Sequence, residues 1–121
     1  MAAEKVLILD DDVDVRATLS GILKARGYEP IVAATPEEAL EGLARRPGVA
    51  LIDVQLQESS GLDVMREIKT RAPDVECIVL TGHTTRATII EAINLGAYGY
   101  LEKPYGMDQL RLMVRRALEK R

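Results

Sequence analysis

Four apolar stretches of this 121-residue chain end in residues that can do chemistry. Asp10 and Asp11 follow residues 6–9, Asp53 follows 49–52, Thr81 follows 75–80, and Lys103 with Pro104 comes just after 98–101. Carboxylates brought close together repel, and at least one is harder to ionise unless a cation is present. An oxygen-only donor set without His or Cys suits Mg²⁺, which binds through one or two carboxylates and keeps much of its water. A carboxylate beside such an ion, a hydroxyl and an ammonium group can act as nucleophile toward a phosphoryl group. Thr81 and Lys103 would then neutralise the oxygens being transferred. Each residue alone is weak evidence, because aspartates commonly end strands or cap helices and lysines are mostly solvated. The combination at successive strand ends carries the argument.

Those ends meet only if the intervening elements build a parallel sheet, and the pattern predicts one. Residues 5–9 read as a first strand, followed by a helical stripe through Val15, Leu19, Ile22 and Leu23 that stops at Gly27. Residues 29–33 form a second strand, which Pro30 assigns to a sheet edge because it lacks an N–H. Thr35-Pro36-Glu37-Glu38 is a capping box with proline at the first helical position, ahead of Leu40, Leu43 and Ala44 on one face. Residues 49–52 are apolar without alternation, as in a strand buried on both faces. A helix through Leu62, Met65 and Ile68 stops at Pro73, and strand 75–80 and helix 85–95 follow, closed by Gly96. Strand 98–101 and a helix through Leu110, Met113, Val114, Ala117 and Leu118 complete the chain. Five strand-then-helix units imply an α/β fold, a flavodoxin-like doubly wound parallel sheet of order 2-1-3-4-5 with five helices. In such sheets ligands bind beyond the carboxyl ends of the strands, where the acids lie.

The length fits one domain spanning residues 1–121. Hydrophobic residues make up 47% and charged residues 29%, which excludes a disordered chain. The net charge of −3 argues against direct nucleic-acid binding. It is also local: without Asp10, Asp11, Asp12 and Asp14 the remaining acids and bases nearly balance. One cysteine, Cys77, can form neither an internal disulfide nor a Cys-based zinc site, so a reducing compartment is expected. No apolar run is long enough for a leader or a membrane span, and the expected location is cytoplasmic. Neither G-x-G-x-x-G after the first strand nor a P-loop occurs, which counts against a nucleotide-dependent enzyme.

With these residues in place the chain resembles the receiver domain of two-component response regulators, from about Lys5 onward. Asp10-Asp11 matches that family's acidic pair, Asp53 its phosphoacceptor, Thr81 its hydroxyl switch residue, Lys103-Pro104 its Lys-Pro step and Tyr100 its switch aromatic. The resemblance implies that Asp53 accepts a phosphoryl group from a sensor histidine kinase or phosphotransfer protein. It implies Mg²⁺ bound by Asp11, Asp53 and the backbone carbonyl of Gln55, with Asp10 acting largely through water, and a cis Lys103–Pro104 bond. It also implies that the fourth helix, fifth strand and fifth helix form a dimer or output face. Residues 84–96 carry only Arg86 and Glu91 as charges, in keeping with that. The chain would not be an enzyme beyond its own phosphorylation and dephosphorylation. One departure is Gln57, where the family commonly has proline; Gly61 keeps the loop length. Gln55 and His83 occupy the positions that tune autodephosphorylation in the family.

Plainer roles account for several neighbours. Asp12 and Asp14 fall where acids cap a helix, and an EF-hand fails because its glycine is Val15 and its bidentate acid Gly21. Cys77 reads as a small core residue, Tyr98 as packing and Tyr105 as a frequent aromatic position of the family. Two rival functions are a receiver-like module acting by contact alone and a Mg²⁺-dependent phosphatase of the haloacid dehalogenase type. The phosphatase needs an acid two residues after its nucleophile. After Asp53 that position is Gln55; only Asp10, followed by Asp12, would satisfy the rule.

Overall fold

The computed structural model describes residues 3–56, 60–82 and 86–120. Strands β1 (Lys5–Leu9), β2 (Glu29–Ala33), β3 (Val49–Asp53), β4 (Glu76–Thr81) and β5 (Gly99–Glu102) pair in parallel in the order β2-β1-β3-β4-β5. Helices α1 (Val13–Ala25), α2 (Pro36–Gly42), α3 (Gly61–Arg71), α4 (Arg86–Asn94) and α5 (Met107–Lys120) alternate with them, and one 3₁₀ turn (Leu43–Arg45) extends α2. The expected topology is therefore the observed one, with β2 and its Pro30 at an edge.

Alternation along the strands divides the interior into two cores. Leu7, Leu9, Ala50, Ile52, Cys77 and Val79 face one way and meet Ala39, Met65, Ile68 and Ala92 from α2, α3 and α4. Val6, Ile8, Val49, Leu51, Ile78, Leu80 and Leu101 face the other and meet Leu19, Leu23, Leu110, Val114 and Ala117 from α1 and α5. Covering both faces explains the unbroken apolar runs: β3 and β4 are buried along their whole length. Burial pushes the Cys77 thiol up to about 12, so it is a neutral core group.

The helix ends follow the expected chemistry with one adjustment. Thr35 caps α2 by accepting from the Glu38 N–H at 3.2 Å, but the Glu38 carboxylate reaches back to the Ala34 N–H (2.7 Å). Asp12 caps α1, accepting from the Asp14 and Val15 N–H groups. Gly27 takes φ +86° just beyond α1, a conformation that favours glycine. Three expectations shift. Ala44 is exposed, because the chain tightens into the 3₁₀ turn after Gly42 and rotates it away from the sheet. Strand β4 starts and ends one residue later than expected, since Val75 precedes the ladder and Thr81 still pairs with Glu102. Strand β5 is likewise displaced by one residue. The expected first residue of α4, Thr85, lies outside the described residues.

Candidate functional site

The sheet register sets the site. Leu9 pairs with Ile52, so the next residues, Asp10 and Asp53, leave neighbouring strands at the same level. Asp53 pairs with Leu80 and Leu80 with Leu101, which puts Thr81 one residue beyond Asp53 and Lys103 two beyond Leu101. Asp10, Asp53 and Thr81 are 1%, 5% and 1% exposed, the reverse of where polar groups usually lie. Carboxylate oxygens of Asp10, Asp11 and Asp53 fall within 4.8 Å of one another.

Positive charge and N–H groups hold these acids. Lys103 Nζ stands 3.7 Å from both Asp10 Oδ2 and Asp53 Oδ2. The Lys103 N–H donates to the Thr81 carbonyl at 2.7 Å, stitching the ends of β4 and β5, and the Lys103–Pro104 bond is cis. Asp53 Oδ1 accepts from the Gln55 N–H (3.0 Å) and Asp10 Oδ1 from the Asp12 N–H (2.9 Å). Asp10 Oδ2 is buried and accepts no hydrogen bond. Burial raises the Asp53 carboxyl above the usual carboxylate range. The Gln55 N–H and Lys103 oppose that rise, and the charges of Asp10 and Asp11 add to it. Tyr105 is raised too, by burial and then by Asp10 and Asp53.

This donor set fits a hard divalent cation. Three carboxylates offer oxygen only, and a buried oxygen without a hydrogen bond is costly unless a charge lies against it. The loop after β3 is shaped as closely as the acids. Gly61, the first residue of α3, lies so near the Asp53 backbone that a Cβ would stand 2.0 Å from its carbonyl oxygen. The Gly61 N–H donates to the Val54 carbonyl at 2.9 Å, and Gln55 bridges to Ser60. Between these anchors, Gln57 lies outside the described residues, as does His83 beyond Thr81.

The structure thus brings together Asp10, Asp11, Asp53, Gln55, Thr81 and Lys103. Tyr100, in β5 opposite Val79 of β4, is 40% exposed. Asp12 and Asp14 belong to the start of α1, and Tyr98 packs against the α1–α5 core. Arg16 was not among the candidates: its guanidinium donates to the Asp10 carbonyl at 2.7 Å. The only sequence signal for it is a base one helical turn after the acidic run.

Comparison with known proteins agrees with this geometry. The family model described as "Response regulator receiver domain" matches residues 6–115. An NtrX-like response regulator of Rickettsia bellii is 43% identical over 122 residues, covering 98% of this chain and 26% of its own length. The nitrogen assimilation regulatory protein NtrX of Azorhizobium caulinodans is 38% identical, covering 97% and 26%. This chain therefore spans about a quarter of the length of these curated relatives. A CheY-like receiver domain protein from Methanospirillum hungatei superimposes with a TM-score of 0.93 at 27% identity, covering 98% of this chain and 95% of that one. The receiver domain of NtrX from Brucella abortus does so at 0.89 and 37% identity, covering 96% and 99%.

Two outcomes follow from the geometry. Gly61→Ala should cost about 1–3 kcal/mol or more in urea unfolding, since the Asp53 backbone must move to admit the methyl group. An unchanged midpoint would contradict that close approach. The second concerns Asp53. A carboxyl whose folded pKa is raised binds more protons folded than unfolded, so its contribution to stability falls as pH rises through the window above the ordinary carboxylate value. In chelator at neutral pH, Asp53→Asn should therefore unfold at higher urea than wild type. The gain should shrink as pH falls toward the ordinary carboxylate range. A loss of stability at neutral pH would mean that the pairing with Lys103 outweighs burial.

Proposed function

The chain belongs to the response regulator receiver domain family, and on that premise we propose that it is a phosphorylation switch whose acceptor is Asp53. The observation that carries this reading is a buried carboxylate at a strand end, flanked by two further acids and facing Lys103. In the proposed reaction an Asp53 oxygen attacks the phosphorus of a phosphohistidine on a sensor histidine kinase or phosphotransfer protein. The P–N bond breaks as the P–O bond forms, its electron pair returns to the imidazole, and Asp53 becomes an acyl phosphate. The Gln55 N–H and the Lys103 ammonium favour the ionised Asp53 that this attack requires. The Lys103 ammonium and the Thr81 hydroxyl would balance charge on the phosphoryl oxygens.

Asp11, Asp53 and the Gln55 backbone carbonyl, with Asp10 through water, are the groups that would hold Mg²⁺. Bound there, the ion supplies charge neutralisation and orientation for phosphoryl transfer. Phosphorylation adds roughly two negative charges in a confined space. Lys103 and Thr81 would be drawn toward them, and Tyr100 would turn inward into the space that Thr81 vacates. Tyr100 is 40% exposed, and on α4 Ile90 and Ile93 are 49% and 57% exposed. The face formed by α4, β5 and α5 is thus the proposed surface for a second copy or an output domain.

On this reading residues 1–121 form one receiver domain. It is no enzyme beyond turning over its own phosphate, works in the cytoplasm and makes no direct contact with nucleic acid. No helix among the described residues is long and apolar enough to cross a membrane.

Incubation with acetyl phosphate, with and without Mg²⁺, followed by intact mass measurement tests the chemistry. Wild type should gain one phosphoryl group that depends on Mg²⁺, and Asp53→Asn should gain none. Label that persists in Asp53→Asn yet disappears in Asp10→Asn would overturn the assignment in favour of phosphatase-type chemistry at Asp10. Light scattering on the labelled sample tests the surface. Phosphorylation should raise the dimer fraction and Ile93→Asp should abolish the rise, whereas a phosphorylated chain that stays monomeric removes the dimer proposal.

A further inference from the structure

Arg16 is the fourth residue of α1, yet its side chain acts outside that helix. Its backbone N–H donates to the Asp12 carbonyl at 3.1 Å, an ordinary first-turn bond. Its half-buried guanidinium reaches back to the end of β1, where Nη1 donates to the Asp10 carbonyl at 2.7 Å. Helical side chains lean toward the N-terminus, so a long side chain in the first turn naturally covers the loop before it. A guanidinium on a carbonyl makes a short, charge-assisted bond, stronger than one between neutral groups.

The carbonyl it grips belongs to the peptide joining Asp10 to Asp11. The tilt of that peptide sets where both side chains start, so one bond orients two carboxylates. Two further bonds complete the grip on Asp10: its N–H donates to the Ala33 carbonyl at 3.2 Å and its Oδ1 accepts from the Asp12 N–H at 2.9 Å. What remains is Oδ2, which accepts no hydrogen bond and lies 3.7 Å from Lys103 Nζ.

We infer that Arg16 is a positioning residue of the cation site: its bond to the Asp10 carbonyl holds the Asp10–Asp11 peptide so that both carboxylates face a divalent ion. This inference rests on the proposal that Asp10, Asp11 and Asp53 bind Mg²⁺. It also makes a prediction of unusual sign. As a mere local charge, Arg16 would repel the cation, and removing it would tighten binding. As an anchor it helps binding, and removing it weakens binding by the amount typical of outer-shell partners, roughly tenfold or more.

Titration calorimetry with Mg²⁺ alone, on wild type, Arg16→Met and Arg16→Lys, separates these roles. Thermal melts in chelator, run alongside, measure folding without the ion. The expected result is a Kd roughly tenfold weaker in Arg16→Met. Arg16→Lys should lie between the two, since an ammonium can donate to the carbonyl without the guanidinium's fixed fork. Arg16→Met binding Mg²⁺ as tightly as wild type, or tighter, overturns the inference, as does a lower melting temperature with an unchanged Kd. Should Arg16→Met fail to fold, Arg16→Lys decides: wild-type affinity there overturns the inference and weaker affinity supports it. Wild type that binds no Mg²⁺ instead overturns the site assignment on which the inference rests.

Discussion

Two buried carboxylates, those of Asp10 and Asp53, share one ammonium group, and the architecture around them follows from keeping that arrangement intact. Lys103 stands equally far from both, with Asp11 adding a third negative charge nearby. Burial raises the Asp53 carboxyl, Lys103 and the Gln55 N–H pull it back, and the charges of Asp10 and Asp11 add to the rise. A chain free to relax would spread these groups apart. Here Asp10 and Asp53 are fixed at the ends of β1 and β3, strands paired on both sides whose two faces lie against apolar helices. Roughly a dozen large buried side chains sit beneath the charges, so the two-sided core supplies the rigidity that holds them together.

The same constraint explains the backbone around the site. Each of the two buried acids that share Lys103 is also held by an N–H: Gln55 for Asp53 and Asp12 for Asp10. These donors come from loops, so the loops must approach closely. At Gly61 that requirement becomes absolute, because any side chain would collide with the Asp53 carbonyl. Sequence, local backbone and electrostatics therefore converge on a few residues that have no catalytic group of their own.

Much of this was legible in the sequence because it rests on periodicity and on residue type. Unbroken apolar runs announced strands buried on both faces, Pro30 located an edge, and acids at strand ends located the site. Less was legible where geometry depends on contacts across the fold. The shift of β4 onto Thr81 arises from pairing with Glu102, which no local pattern records. Ala44 satisfied a helical stripe but turned outward when the chain tightened into a 3₁₀ turn. Arg16 drew no reading because its partner is a backbone carbonyl, and a carbonyl leaves no mark on composition or motif.

The shared ammonium also bears on how such a site could signal. If every acid were neutralised in the resting protein, a new phosphoryl group would find no partner and move nothing. Because Lys103 lies between Asp10 and Asp53 and belongs wholly to neither, a larger negative charge on one side would decide its position. Its N–H is bonded to the Thr81 carbonyl, so displacement of Lys103 is felt at the ends of both β4 and β5. Tyr100 lies only three residues before Lys103, on a strand that forms a sheet edge. A shift in charge balance worth a few kcal/mol changes a two-state ratio by orders of magnitude. An ammonium shared between two buried carboxylates is thus what would make the surface responsive.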